Sequence, residues 1–163
     1  MIGTEGHFGM RKILMVSCLL AIPAVAAAQS LGWQKYAVPE TGANVDLPMT
    51  IFSKDAGQPE SGYGRRFLTA DGRANLTVQS FPNDVGDSPA VFLAKMNPPS
   101  SLVYKRVTPR FFAVSSFRND KIWYNRCNFP GRFVNCVLIK YPAAEKRQWD
   151  SVVTRISNTL TGR

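Results

Sequence analysis

Cys127 and Cys136 flank Pro130-Gly131-Arg132, and β-rich runs lie on both sides of that turn-like stretch, from Trp123 to Tyr141. Such a segment reads as a β-hairpin. If Gly131-Arg132 form a two-residue turn with glycine first, Cys127 falls directly opposite Cys136, at a separation a disulfide can bridge. The spacing lacks the CxxC geometry that tunes a thiol for redox work, so a structural cross-link is expected. Closing so short a loop restricts the unfolded chain by about 2–3 kcal/mol.

A disulfide implies an oxidising compartment, and the N-terminus supplies a route there. Arg11-Lys12 form a positive n-region, Ile13 to Val25 an apolar run, and Ala26-Ala27-Ala28 the small residues of a signal-peptidase site. A cleavable signal peptide is therefore expected over residues 1–28, leaving a single domain over 29–163. Met10 directly precedes Arg11-Lys12, which makes it an alternative start to Met1. The residues before Cys18 make a poor lipobox, and the apolar run is too short to stay as an anchor. Localisation is read as periplasmic or secreted, with no transmembrane anchor after cleavage.

Cleavage removes His7, the sole histidine of the chain. Histidine-dependent triads, Cys-His dyads and His-based zinc sites are then excluded from the mature protein. GxSxG, GxxxxGK[ST], GxGxxG and Ser-x-x-Lys are also missing from it, so no catalytic residue is nominated and no metal or cofactor is expected. Asn83, Asp84 and Asp87 share a loop but lack EF-hand spacing, and read as turn and capping residues. Gly62-Tyr63-Gly64 before Arg65-Arg66 reads as the entry to a strand, with anion approach as its alternative.

Periodicity gives the architecture. Short strands are expected at Trp33 to Val38 and Ala43 to Leu47, followed by a long surface loop from Ser53 to Gly64. Asp71-Gly72 joins Arg65–Ala70 to Arg73–Ser80 in a hairpin that sets Phe67 opposite Leu76 and Arg65 opposite Val78. Ser88 caps a short helix with Pro89 in its first position, running to about Met96. Strands at 102–107, 110–118, 121–129 and 132–141 turn at Thr108-Pro109, Asn119-Asp120 and Gly131-Arg132. From Ala143 to Leu160 the apolar positions Trp149, Val152, Val153, Ile156 and Leu160 repeat at helical spacing. The fold class is α+β: an antiparallel sheet of meander and hairpins with two helices packed on it, the C-terminal one longer.

Charge is unevenly placed. Of 20 Lys and Arg, twelve lie between Lys105 and Arg163, where there are only three acidic residues. Arg106, Arg110, Arg118, Lys121, Arg126 and Arg132 are the candidate anion-binding residues. The expected registers put Arg118 and Lys121 near Trp123 and Lys140, with Arg126 on the opposite face near Tyr124 and Val137. A single basic groove does not follow.

Gly64-Arg-Arg-Phe-Leu-Thr-Ala-Asp-Gly-Arg-Ala-Asn-Leu-Thr-Val78, preceded by Trp33-Gln-Lys-Tyr36 and Val45-Asp-Leu-Pro48, resembles a group of small exported bacterial proteins with no assigned activity. Tyr141-Pro-Ala and Trp149-Asp-Ser-Val-Val-Thr-Arg-Ile156 look similar too. The order of strands and helices is also similar to the PsbP and Mog1 type of sandwich, whose members act mainly as accessory or binding proteins. That resemblance implies a non-catalytic role by analogy of fold. The expected function is an exported binding or accessory module for a protein or envelope component. One alternative is an envelope-polyanion binder, for lipopolysaccharide or nucleic acid, using the six basic residues. Another is a small hydrolase relying on Asp or Glu alone.

Overall fold

The structure, a computed structural model, describes residue 3 and residues 31–162. The leader expected over residues 1–28, with Met10 and Cys18, lies outside the described residues apart from Gly3. Among the described residues, no helix is long and apolar enough to cross a membrane.

The strands are β1 (Trp33–Val38), β2 (Ala43–Pro48), β3 (Lys54–Asp55), β4 (Tyr63–Leu68), β5 (Asn75–Pro82), β6 (Leu102–Val107), β7 (Phe111–Arg118), β8 (Lys121–Asn128) and β9 (Phe133–Pro142). Helix α1 (Pro89–Lys95) precedes β6, and α2 (Lys146–Thr159) follows a 3-10 turn at Ala143–Glu145. Strands β1 and β2 make a ribbon of their own, while the other seven form an antiparallel sheet in the order β3-β4-β5-β9-β8-β7-β6. The class is therefore α+β with antiparallel pairing throughout, and α2 is the longer helix.

Turn chemistry fixes most registers. At Asn119-Asp120 both residues take positive φ, 50° and 55°, the backbone of a type I′ turn, and Arg118 pairs with Lys121. Asn and Asp tolerate this region because a short polar side chain relieves the steric cost. The Asp71-Gly72 hairpin keeps the expected pairs Phe67↔Leu76 and Arg65↔Val78. Its loop is wider than two residues: Thr69 N donates to Ala74 O, and Gly72, at φ 69°, donates its N–H to Thr69 O.

At the last hairpin Cys127 and Cys136 are directly paired and disulfide-bonded. The two-residue turn expected at Gly131-Arg132 is not formed. Pairing stops at Asn128↔Asn135, and Gly131 is not in the left-handed region that a glycine-first tight turn needs. Both flanks have other partners: Phe129 N donates to Arg110 O, and Asn83 N to Arg132 O. The surface loop expected over 53–64 also needs correction. Lys54 and Asp55 pair with Leu68 and Phe67 as the edge strand β3, and Tyr63 and Gly64 already belong to β4. Their polar side chains gave no alternation because an edge strand has little to bury.

The sheet has two unlike faces. On the first, Leu76, Val78, Val137, Ile139 and Tyr141 meet α2 and β2. Helix α2 buries Trp149, Val152, Val153 and Ile156, with Leu160 just beyond its end. These are the positions the helical period marks, and each contributes roughly 1.5–3 kcal/mol on burial. Phe52 and Tyr141 hold the Trp149 ring between centroids 5.7 and 5.3 Å away. Burial pushes the Tyr141 hydroxyl up to about 12, aided by the nearby Asp150 charge. On the second face, α1 covers Phe112, Val114, Val134 and the disulfide. Ser88 caps α1 by accepting a hydrogen bond from Val91 N, as its position before Pro89 suggests.

One polar chain runs through the interior. Thr41 donates to Ser80, and Ser80 to Asn135 Oδ1, at 3.1 and 2.8 Å. Asn135 is wholly buried, and its Nδ2 has no hydrogen-bond partner among the described residues. Gly162 passes so close to that amide that any Cβ at this position would collide with it.

Candidate functional site

The short α1 covers only one end of the second face. The uncovered end forms a trough of about 550 Å³, floored by Asn75, Thr77, Gln79 and Leu138 and flanked by Arg66 and Trp123. Alternation along β5 sends Asn75, Thr77 and Gln79 to this face while Leu76 and Val78 go to the core. The segment between β3 and β4 forms one wall. Gln79 Nε2 donates to Ser61 O at 2.6 Å and Arg66 Nη2 to Ala56 O at 3.0 Å, so two trough residues hold that wall in place. Gly64 permits the close approach: its φ is 131°, and a Cβ there would meet Val78 O.

Trp123 on β8 is 40% exposed, unusual for a ring of that size, and Lys140 Nζ stands 4.2 Å above its centroid. The register Trp123↔Lys140 places them side by side. Asn75 and Thr77 offer an amide and a hydroxyl that make no side-chain hydrogen bond among the described residues. The trough thus combines a flat aromatic plate, free donors and acceptors, and two cations. Glu60 is the one carboxylate lining it, so the paired acids of a glycosidase are not assembled there.

The six basic residues singled out from sequence fall into three places. Arg106 and Arg126 stand over Phe111, with guanidinium carbons 5.4 and 4.3 Å from its ring centroid, and Arg110 lines a cavity with Phe111 and Arg126. Arg118 and Lys121 sit together at the β7–β8 turn, and Lys121 Nζ is already bonded to Arg73 O at 2.5 Å. Arg132 lies in the β8–β9 loop. The expectation that Arg126 faces away from Trp123 agrees with its position opposite Val137 and its bond to Ser157 in α2. The six are divided between the two ends of β7 and the β8–β9 loop.

Other ion pairs are structural. Asp46 bridges Lys35 and Arg155, tying the ribbon to α2. Partial burial works to raise its pKa, but the hydrogen bonds from Arg155 and Lys35 outweigh that and hold the carboxyl below its ordinary value. Burial raises Tyr124, whose hydroxyl meets Ser157 Oγ at 2.6 Å. Asn83 closes its loop by bonding both N and O of Asp87, and Asp87 pairs with Lys95 at 2.6 Å. Among the described residues, no three His, Cys, Asp or Glu side chains are grouped as metal ligands.

Arg66 and Thr77 lie in the Gly64–Val78 stretch that carries the resemblance, and Arg66 in the Arg65-Arg66 pair read as a strand entry with anion approach as its alternative, while Gln79 stands in no motif. Only Trp123 beside Lys140 was visible in the register, and nothing in the sequence shows that α1 stops short of them.

No protein-family model matches the sequence, and no curated protein matches it. Among solved structures, the chain is similar to the cyanobacterial PsbP (CyanoP) of Synechocystis sp. PCC 6803, known from its solution structure. The TM-score is 0.59 at 12% identity, over 89% of this chain and 99% of that one. At that identity the likeness is one of fold: a PsbP-like sandwich.

Proposed function

We propose that this protein is an exported, non-catalytic binding or accessory module, working in an oxidising compartment and taking its ligand or partner in the trough on the second face. The observation that carries this reading is Trp123, a large ring left 40% exposed in a concavity with free polar groups. Binding sites characteristically join an apolar or aromatic surface to a few placed polar groups. The Cys127–Cys136 bond suits an oxidising space, and the PsbP-like fold suits an accessory role.

A photo-crosslinking side chain placed at Trp123 or Thr77 in the exported protein tests this directly. Discrete adducts are expected from both positions and none from Val85, an exposed control outside the trough. Equal labelling from all three, or the protein recovered from the cytosol with its leader attached, would refute the proposal.

A second reading, polyanion binding, is favoured by one observation. Among the described residues, none of Arg106, Arg110, Arg118, Lys121, Arg126 or Arg132 forms an ion pair with a carboxylate. Affinity for heparin or lipopolysaccharide should then fall steeply with salt, since each phosphate or sulfate contact releases counterions. A flat salt dependence removes this reading.

A further inference from the structure

Arg106, Ala113 and Arg126 form one row across β6, β7 and β8, because Ala113 pairs with both arginines. Side chains in such a row share a face, and the small Ala113 leaves room for both guanidiniums to lean towards Phe111, two positions along. They reach 5.4 and 4.3 Å from its ring centroid, and Arg110 joins Arg126 in lining a cavity of about 380 Å³ beside them. Arg110 and Arg126 thus line one cavity with Phe111, Arg106 stands over the same ring, and none of the three pairs with a carboxylate among the described residues. Stacking on Phe111 offsets part of the repulsion, and an anion would relieve the rest.

Arg126 is also fixed in advance. Its Nε donates to Asn128 Oδ1 at 3.0 Å and its Nη1 to Ser157 Oγ at 3.4 Å, while Ser157 is itself buried and bonded to Tyr124. Asn128 Nδ2 meanwhile engages Leu160 O at 2.7 Å, so a carbonyl on the cavity wall that would repel an anion is occupied. A guanidinium with its fork partly held by the protein loses less freedom on engaging a ligand.

We propose that Arg106, Arg110 and Arg126 around Phe111 form a pocket for a single phosphate monoester group. Guanidiniums arriving from three positions suit a tetrahedral group with several acceptor oxygens better than a planar carboxylate. Phe129 and Pro130 line the same cavity and give an apolar wall for the organic part of the ester. Arg118 lies seven residues along β7 from Phe111, roughly 23 Å at strand rise, so it takes no part. The site is on the sheet face opposite the trough, and it stands or falls independently of the trough. It narrows the polyanion reading to one discrete group.

Titration of the isotope-labelled protein with inorganic phosphate, phenyl phosphate and phosphatidic acid vesicles tests it. Phenyl phosphate should give saturable shifts at Phe111 and the Arg126 side chain, more strongly than inorganic phosphate, with the Trp123 indole unmoved. Arg110 makes no side-chain hydrogen bond among the described residues, so Arg110→Gln tests the site without disturbing the fold. That change should weaken binding by about tenfold, as should Arg126→Lys, which keeps the charge and loses the fork. Arg118→Gln should change it less than about twofold. Binding to the vesicles alone, lost in Arg110→Gln, assigns the phosphate to a lipid headgroup; binding to phenyl phosphate assigns it to a soluble ester. No saturable response to any probe, or equal weakening by Arg118→Gln, overturns the proposal.

Discussion

The two faces of the central sheet solve the same problem with different means. The first is closed by a 14-residue helix and a β-ribbon, and its core is mostly aliphatic, with Trp149 between Phe52 and Tyr141. The second has a helix of only seven residues, which fully buries Pro89 and Leu93 and little else. There the packing falls to rings, with Phe92 meeting Phe81, Phe112 and Phe129 at centroid distances of 5.6–6.5 Å, and to a covalent link beneath them. A long helix stabilises by area, whereas a short one needs dense local contacts and leaves part of its sheet uncovered. The uncovered part is where the trough lies.

The contrast can be broken from either side. Ile156→Ala removes a wholly buried side chain beneath α2, and unfolding in urea should show a loss of about 3–4 kcal/mol, since the close-packed aliphatic layer cannot collapse into the gap. Replacing both Cys127 and Cys136 by Ala should cost less, about 2–3 kcal/mol, mainly through the freed unfolded chain. Hydrogen exchange should then quicken in α1 and the β8–β9 hairpin more than in α2. Because the two changes lie on opposite faces, their effects should add in the combined variant, and strong coupling would show that the faces are one cooperative layer.

Asp46→Asn removes ion pairs to Lys35 and Arg155 at half-exposed sites, worth about 0.5 kcal/mol near neutral pH. The sign follows from the lowered pKa. Folding favours the ionised carboxylate, so its contribution is present above the unfolded value near 3.8 and fades as pH drops through the lower folded value. Denaturation curves of the two proteins should therefore differ at pH 7 and converge only as the pH falls below 3.8. A gap that persists in acid would assign the effect to packing.

Local rules carried far in this sequence. The stripe from Trp149 to Leu160, the Ser88-Pro89 helix start, the Asn119-Asp120 turn and the Cys127↔Cys136 register all depend on residues close in the chain. What escaped depends on distant partners. The pairing of β5 with β9, Val78 opposite Val137, joins two hairpins that each look complete alone. The alternation of Ala43, Val45 and Leu47 marks a buried face but not what covers it, so the separation of β1–β2 from the main sheet, with that face packed on α2, was not legible. Strand β3 is too short and polar to give a pattern, and the turn at Pro130-Gly131 yields to the bonds from Phe129 N to Arg110 O and from Asn83 N to Arg132 O. The basic residues were countable, yet their division into a cluster at Phe111 and a pair at the β7–β8 turn needed the sheet order.

The ribbon also imposes a timetable. Asn44 and Thr161 exchange both backbone bonds, Asp46 N donates to Thr159 Oγ1, and β2 rests on α2, so the first hairpin leans on residues more than a hundred positions later. As the polypeptide emerges, the β1–β2 hairpin has nowhere to settle until α2 has been made. Closing so large a circuit is slow, and in the interval the apolar side of that hairpin stays bare to whatever chaperone or protease stands nearby.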